Sequence, residues 1–234
     1  MIYYDHLPLD KDILKALGEL SINYVFQPIY EPDGKTIYAR EALMRPTEMN
    51  VMELIDEYTK LEKLHVIEVA TFFGAMQEYA LRGYECNISM NSFPSEYFRK
   101  SEQEAFTEYF GDMSGLGIIE MLEYPYIDPV ATLEKAEAIK RQNLQIAVDD
   151  FGTGLGNMDA VDLYQPHFVK LDRHLISGID HTSEKQTNVR SLIDVFHKRN
   201  ILVVAEGVET KEEFEYLVAL GVDYLQGYYL AMPA

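Results

Sequence analysis

The sequence predicts an α/β fold whose eight short strands alternate with helices and most simply close as a (β/α)8 TIM-like barrel with its first strand antiparallel. Three observations carry this expectation. Eight segments rich in β-branched or aromatic residues are separated mostly by stretches of helical periodicity. Several of them, such as QIAVDDF at 145–151 and ILVVAEG at 201–207, are near-continuous apolar runs, as parallel strands covered on both faces require. The first two are joined only by EPDGKT, too short for a parallel crossover, so they form a hairpin and the other six follow the second strand in parallel. An open doubly wound sheet satisfies the same pattern, and periodicity alone does not separate the two.

A helix from Asp10 to Leu20 opens the order, with Ile13, Leu17 and Leu20 on one face. Residues 1–21 therefore read as a helical extension packed on a barrel domain of residues 22–234. Strands are expected at Tyr24–Tyr30, Ile37–Arg45, Glu85–Ser92 and Gly117–Leu122. The remaining four are Gln145–Phe151, Phe168–Asp172, Ile201–Gly207 and Tyr224–Leu230. Asp128-Pro129 sets a capping carboxylate before proline at the first helical position and opens a helix over Val130–Asn143. Thr210 with Glu213 forms a capping box, and Gly221 stops that helix.

Composition bounds the function classes. The 234 residues are 47% hydrophobic and 25% charged, which suits a globular chain with a large core and excludes a disordered one. Lys+Arg number 20 against 39 Asp+Glu, a formal charge of −19, which argues against a polymeric nucleic-acid partner. No apolar run approaches the roughly 20 residues a membrane-spanning helix needs, and no signal-peptide pattern opens the chain. A single cysteine excludes a disulfide framework and a thiolate metal cluster, so a reducing, cytoplasmic setting is expected. Cys86 reads as an inert buried thiol, and the six histidines show no metal-ligand spacing.

In such folds ligands bind at the carboxyl ends of the parallel strands. Period-2 alternation puts Glu41, Leu43 and Arg45 on one face of the second strand. The third strand ends in Asn91, the fourth in Glu120, the fifth in Asp149-Asp150 and the seventh in Glu206. Lys170 and Asp172 share a face on the sixth, and the eighth carries Gln226. Any one of these acids could simply be solvated or cap a helix. Five together (Glu41, Glu120, Asp149, Asp150, Glu206) cannot, since two like charges about 4 Å apart repel by about 4 kcal/mol at an effective dielectric of about 20. Either some protonate or hard divalent cations sit among them, and carboxylate and amide oxygens select Mg²⁺, Mn²⁺ or Ca²⁺. Two adjacent metals suit in-line displacement at phosphorus, with Arg45 and Lys170 assisting. For Lys170 the plain alternative is a structural salt bridge to Asp172 or another acid.

Glu41-Ala42-Leu43-Met44-Arg45 resembles the motif that names the EAL-domain phosphodiesterases. The likeness continues in order through Gln27-Pro28-Ile29, Asn91 in ISMNSFP, Glu120 and Glu123 in EMLE, and DDFGTG at 149–154. It ends with VKLD at 169–172, AEGVET at 205–210 and QGYYL at 226–230, so it covers roughly residues 22–233. A lone tripeptide would mean nothing; the ordered series is specific. The resemblance implies a barrel with a reversed first strand that hydrolyses cyclic di-guanosine monophosphate (cyclic di-GMP) to linear pGpG with two Mg²⁺ or Mn²⁺ ions. It implies Glu41, Asn91, Glu120 and Asp149 as ligands of one metal, Asp149 bridging to a second, and Asp150 and Glu206 as further ligands or water-orienting groups. Lys170, Glu206 and Glu41 would act in catalysis, and Gln27, Arg45, Asp172 and Gln226 would contact the nucleotide. Glu123 would anchor the loop that starts at Gly152, a loop near which relatives often pair as homodimers. Leu122 stands where the family usually has Thr, Leu155-Gly156-Asn157 replaces aromatic-Ser-Ser, Pro46 follows EALMR, and Thr47–Thr59 is a short connection. No first-ranked ligand is lost. A cyclic di-GMP receptor without turnover is the alternative within the family. A barrel lyase or isomerase with Lys170 as base is the alternative outside it, disfavoured by the paired aspartates.

Overall fold

The computed structural model describes residue 4 and residues 7–111, 115–122, 128–154 and 156–234. Among the described residues eight strands close a barrel in sequence order, β1 through β8, which decides against the open sheet. The hairpin is as expected: β1 (Ile22–Tyr30) pairs antiparallel with β2 (Ile37–Pro46), with Gln27 opposite Glu41. Its turn is held by Asp33, whose carboxylate accepts from the backbone N–H of Lys35 and of Thr36, both at 2.8 Å, a local bond that turn aspartates favour. β2 then runs parallel to β3 (Asn87–Ser92), and so onward through β4 (Gly117–Met121), β5 (Gln145–Phe151), β6 (Phe168–Leu171), β7 (Leu202–Ala205) and β8 (Tyr224–Leu225). Closure comes where Tyr30 meets Leu225 antiparallel.

Helix ends form where the capping chemistry lies. Asp10 caps α1 (Lys11–Gly18), Asn50 with Glu53 boxes α2 (Val51–Lys60), and α3 (Leu64–Leu81) follows. The connection Thr47–Thr59, read as a short link, is thus mostly helix. After α4 (Lys100–Phe110), Asp128 caps α5 (Pro129–Arg141) with proline in its first turn. Asn157 caps α6 (Met158–Tyr164), and α7 (Arg173–Ile176) and α8 (Ser183–Lys198) follow β6. Thr210 and Glu213 box α9 (Lys211–Leu220), which stops at left-handed Gly221.

Strand ends depart from the expectation at β6, β7 and β8. Asp172 leaves β6 to cap α7, and β8 stops at Leu225 rather than Leu230. The reason for the second is a close backbone crossing: a Cβ on Gly227 would stand 2.2 Å from both N and O of Val208. The chain turns there to pack on the β7–α9 connection, with Val208 N–H donating to Gln226 O at 3.0 Å.

The main core lies between the outer barrel wall and the helices, and α1 joins it through Ile13 and Leu17. One ionic knot crosses this layer. Lys135 of α5 donates to Glu68 Oε1 of α3 at 2.8 Å, to Ser92 Oγ at 2.6 Å and to Phe93 O at 2.6 Å, and also meets Glu96 O. Glu68 in turn accepts from Ser92 Oγ at 2.6 Å and Phe93 N–H at 3.0 Å. Both side chains are buried, so removing one partner leaves an uncompensated charge in a medium of low polarity. Lys135→Met is expected to destabilise the fold by about 3–5 kcal/mol in urea denaturation, and adding Glu68→Met to recover most of that loss.

Candidate active site at the barrel mouth

The site grows out of strand periodicity. Inside the barrel Ile29, Ala39, Ile118, Ala147, Phe168 and Val204 form an apolar floor. Two residues further along each parallel strand, on the same face, come Glu41, Glu120, Asp149, Lys170 and Glu206. The same alternation gives Ser89 and then Asn91 on β3, and Gln226 two residues after Tyr224. One layer of each strand therefore plugs the barrel, and the next presents charge to its carboxyl end.

Lys170 is the centre of that charged layer. Its Nζ lies 2.7 Å from Glu120 Oε2, 2.7 Å from Glu206 Oε1, 3.0 Å from Asp149 Oδ1 and 3.5 Å from Glu41 Oε2. Burial alone would lower its pKa, but the four carboxylates outweigh it and hold the ammonium well above its ordinary value. One cation against four carboxylates still leaves three charges uncompensated (4 − 1 = 3) if all ionise. The imbalance falls on the acids. Burial, then the charge of Glu41, pushes Glu120 up to about 8 despite the pull of Lys170. Burial likewise raises Glu206 well above the ordinary carboxylate range, again against Lys170.

Neutral donors orient the ring. Glu41 Oε1 accepts from Asn91 Nδ2 at 3.2 Å and its Oε2 from Gln226 Nε2 at 2.7 Å. Glu120 Oε1 accepts from Ser89 Oγ at 2.5 Å. Asp149 and Asp150 would point to opposite faces of a regular strand. Instead Asp150 adopts φ of 49°, and the pairing of β5 with β6 shifts register between Val148 and Phe151. This bulge brings oxygens of Asp149, Asp150 and Glu206 within 4.8 Å of one another. One buried oxygen in the ring, Gln226 Oε1, accepts no hydrogen bond, and Asp149 Oδ1 has only the shared Lys170 ammonium at 3.0 Å. Clustered hard oxygens, one lacking a donor, fit divalent cations of the Mg²⁺, Mn²⁺ and Ca²⁺ kind.

Above the ring a pocket of about 320 Å³ opens, whose walls include Gln27, Leu43, Asp172, Arg173, Glu209 and Tyr228. Of the expected nucleotide contacts, Gln27 stands here beside Glu41, donating to Ala231 O at 3.2 Å. Asp172 lines the wall and accepts from His174 N–H at 2.8 Å; it is not the salt-bridge partner of Lys170, which takes four other acids. Arg45 is exposed beyond the ring and donates to Met44 O at 2.9 Å. Glu123, the expected loop anchor, lies outside the described residues. The loop it would serve closes on itself through Gly152 N–H to Gly156 O at 2.8 Å. Sequence reasoning missed Ser89, Arg173 and Tyr228. Ser89 was open to detection, lying two residues before Asn91 on the same face. Arg173 and Tyr228 sit past strand ends, where no periodicity assigns a direction.

No described helix is long and apolar enough to cross a membrane. A search of known proteins gives relatives and folds for this arrangement. Cyclic di-GMP phosphodiesterase TpdA of Vibrio parahaemolyticus is 28% identical over 250 residues, covering 97% of this chain and 43% of its own length. The chain thus spans less than half of that relative. The c-di-GMP-bound crystal structure of a standalone versatile EAL protein from Vibrio cholerae O395 superposes with a TM-score of 0.84 at 27% identity, covering 92% of this chain and 93% of that one. BlrP1 of Klebsiella pneumoniae, solved with manganese and cyclic di-GMP, shares the fold with a TM-score of 0.78 at 23% identity, covering 100% of this chain and 58% of that one. The EAL domain family model matches residues 10–233. A match of that extent, on a barrel whose reversed first strand and acid-ringed mouth follow independently from its own geometry, means that the chain belongs to the EAL domain family.

Proposed function

We propose that this chain is a divalent-metal-dependent phosphodiesterase that hydrolyses cyclic di-GMP to linear pGpG. Family membership and the names of its relatives support the substrate. The observation that carries the chemistry is the triad Asp149, Asp150 and Glu206, with carboxylate oxygens within 4.8 Å, set against Lys170 and two further acids. Glu41, Asn91, Glu120 and Asp149 would hold one ion, and Asp149, Asp150 and Glu206 a second. Such a pair of cations, when bound, lowers the pKa of water and offsets charge building on phosphoryl oxygens.

The chain's own groups take distinct parts. Lys170 stays protonated among its carboxylates, so it serves as a fixed donor that orients water or a phosphate oxygen rather than as a base. Glu206, 2.7 Å from Lys170 Nζ, would ligate the second ion or orient the attacking water beside that ammonium. Glu41 is held at both oxygens, by Asn91 and Gln226, and so keeps its direction through the reaction. Gln27, Asp172 and Gln226 line the nucleotide's side of the mouth, and Arg45 reaches a phosphate from the rim.

Purified protein with cyclic di-GMP and Mn²⁺ or Mg²⁺ is expected to release pGpG, and EDTA to abolish the release. Lys170→Ala and Asp149→Asn should each lower turnover by about 10²–10⁴-fold with circular dichroism unchanged. Full turnover in both variants overturns the assignment. Tight nucleotide binding with no product, metals supplied, places the chain instead among receptors.

A second expectation concerns pH. Glu120 binds its proton up to about 8 in the fold against an ordinary value of 4.5, so between these values the folded state carries more protons than the unfolded one. Stability of metal-free protein should therefore fall as pH rises through that window. Saturating Mn²⁺ should reverse the trend, adding about 2.7 kcal/mol at a hundredfold excess over its Kd. Thermal melts across pH, with and without the ion, check both signs.

A further inference from the structure

Arg173 opens α7, three residues beyond Lys170 of β6. Its Nη1 donates to Gly207 O at 2.8 Å and meets Glu209 Oε1 at 2.5 Å. Its aliphatic stem lies flat over Gly207, where an added Cβ would approach Arg173 Cβ, Cγ and Cδ to 2.9, 3.1 and 3.2 Å. Gly207 itself has φ of 68°, a conformation that glycine adopts without strain. The residue before it is Glu206, whose N–H donates to Leu171 O at 3.1 Å and whose carboxylate lies 2.7 Å from Lys170. Glu206 is thus gripped on three sides, by β6 at its own N–H and its side chain and by Arg173 of α7 at the carbonyl of the next residue. Glu209 is fixed in turn, since its N–H donates at 2.9 Å to buried Glu213, which also accepts from Gly178 N–H at 2.8 Å.

We propose that Arg173, locked by Glu209, is a positioning residue that holds Glu206 at the distance from Asp149 and Asp150 that a divalent cation requires. Partners that orient a ligand without touching the ion commonly govern metal affinity about 10- to 100-fold. The inference rests on the metal reading of the site given above.

Calorimetric titration of Mn²⁺ into the full chain, without nucleotide, tests it. Arg173→Gln is expected to weaken Mn²⁺ uptake about 10- to 100-fold and to lower kcat, with KM for cyclic di-GMP within about twofold of the parent. Arg173→Lys, which keeps a donor for Gly207 O, should recover part of the affinity, and Glu209→Gln should lose less than Arg173→Gln. Should Arg173→Gln fail to fold, the last two variants carry the same measurement. Unchanged Mn²⁺ affinity overturns the proposal, whether it comes with a lower Tm alone or with a tenfold rise in KM, which would make Arg173 a nucleotide contact. Parent protein that takes up no Mn²⁺ overturns the metal reading and this inference with it. Parent protein that binds Mn²⁺ without hydrolysing cyclic di-GMP defeats the hydrolase reading only, and the affinities still decide the role of Arg173.

Discussion

The buried ammonium of Lys170 is the point on which the mouth of this barrel depends. A lone lysine carried to the centre of a barrel would give up its proton, because burial penalises charge. Here Glu41, Glu120, Asp149 and Glu206 surround it within 3.5 Å and reverse that preference. The reciprocal cost lies on the acids, which outnumber it and resist full ionisation. Two members of the ring have a second support, Asn91 and Gln226 on Glu41 and Ser89 on Glu120, and a floor of apolar side chains lies beneath. The shortage of positive charge above Lys170 is the same property that, in the proposed function, draws hard cations and through them a phosphodiester into a strongly acidic protein.

Geometry at the strand ends converts that charge into a site. A regular β5 would send Asp149 and Asp150 to opposite faces; the positive φ of Asp150 and the register shift beside it put both on one. Unfavourable backbone conformations of this kind persist where surrounding structure over-determines them. The crossing of Gly227 over Val208 does comparable work on the other side, ending β8 early and laying Gln226 against Glu41. Outside the barrel the Glu68–Lys135 knot ties α3 and α5 to Ser92 and Phe93, immediately after Asn91. Ring residues are thus held from both faces of the sheet.

Much of this was legible in order along the chain. Eight apolar or alternating segments, the short EPDGKT turn and the capping signals at Asp128 and Thr210 sufficed for the strand count, the antiparallel start and two helix starts, because each depends on neighbours a few residues away. Period-2 alternation gave the faces of Glu41 and Lys170, and the ends of the apolar runs put Glu120 and Glu206 on the same rim. The ordered motif series pointed to the family because it follows the same strand ends in order.

Three-dimensional closure decided the rest. Whether the sheet curls into a barrel depends on Tyr30 meeting Leu225, residues 195 positions apart (225 − 30 = 195), and no local signal encodes that pairing. The partner of Lys170 was equally hidden. Asp172 lies two residues away on the same strand and was the obvious candidate, yet it turned outward to cap α7 while four acids from other strands took the ammonium. The grip of Arg173 on Gly207 belongs to the same class, as it joins the ends of two strands by contact alone. Sequence determines which side chains face inward, since that follows from local backbone geometry. Only the folded barrel determines which of them meet, because charges attract across space and not along the chain.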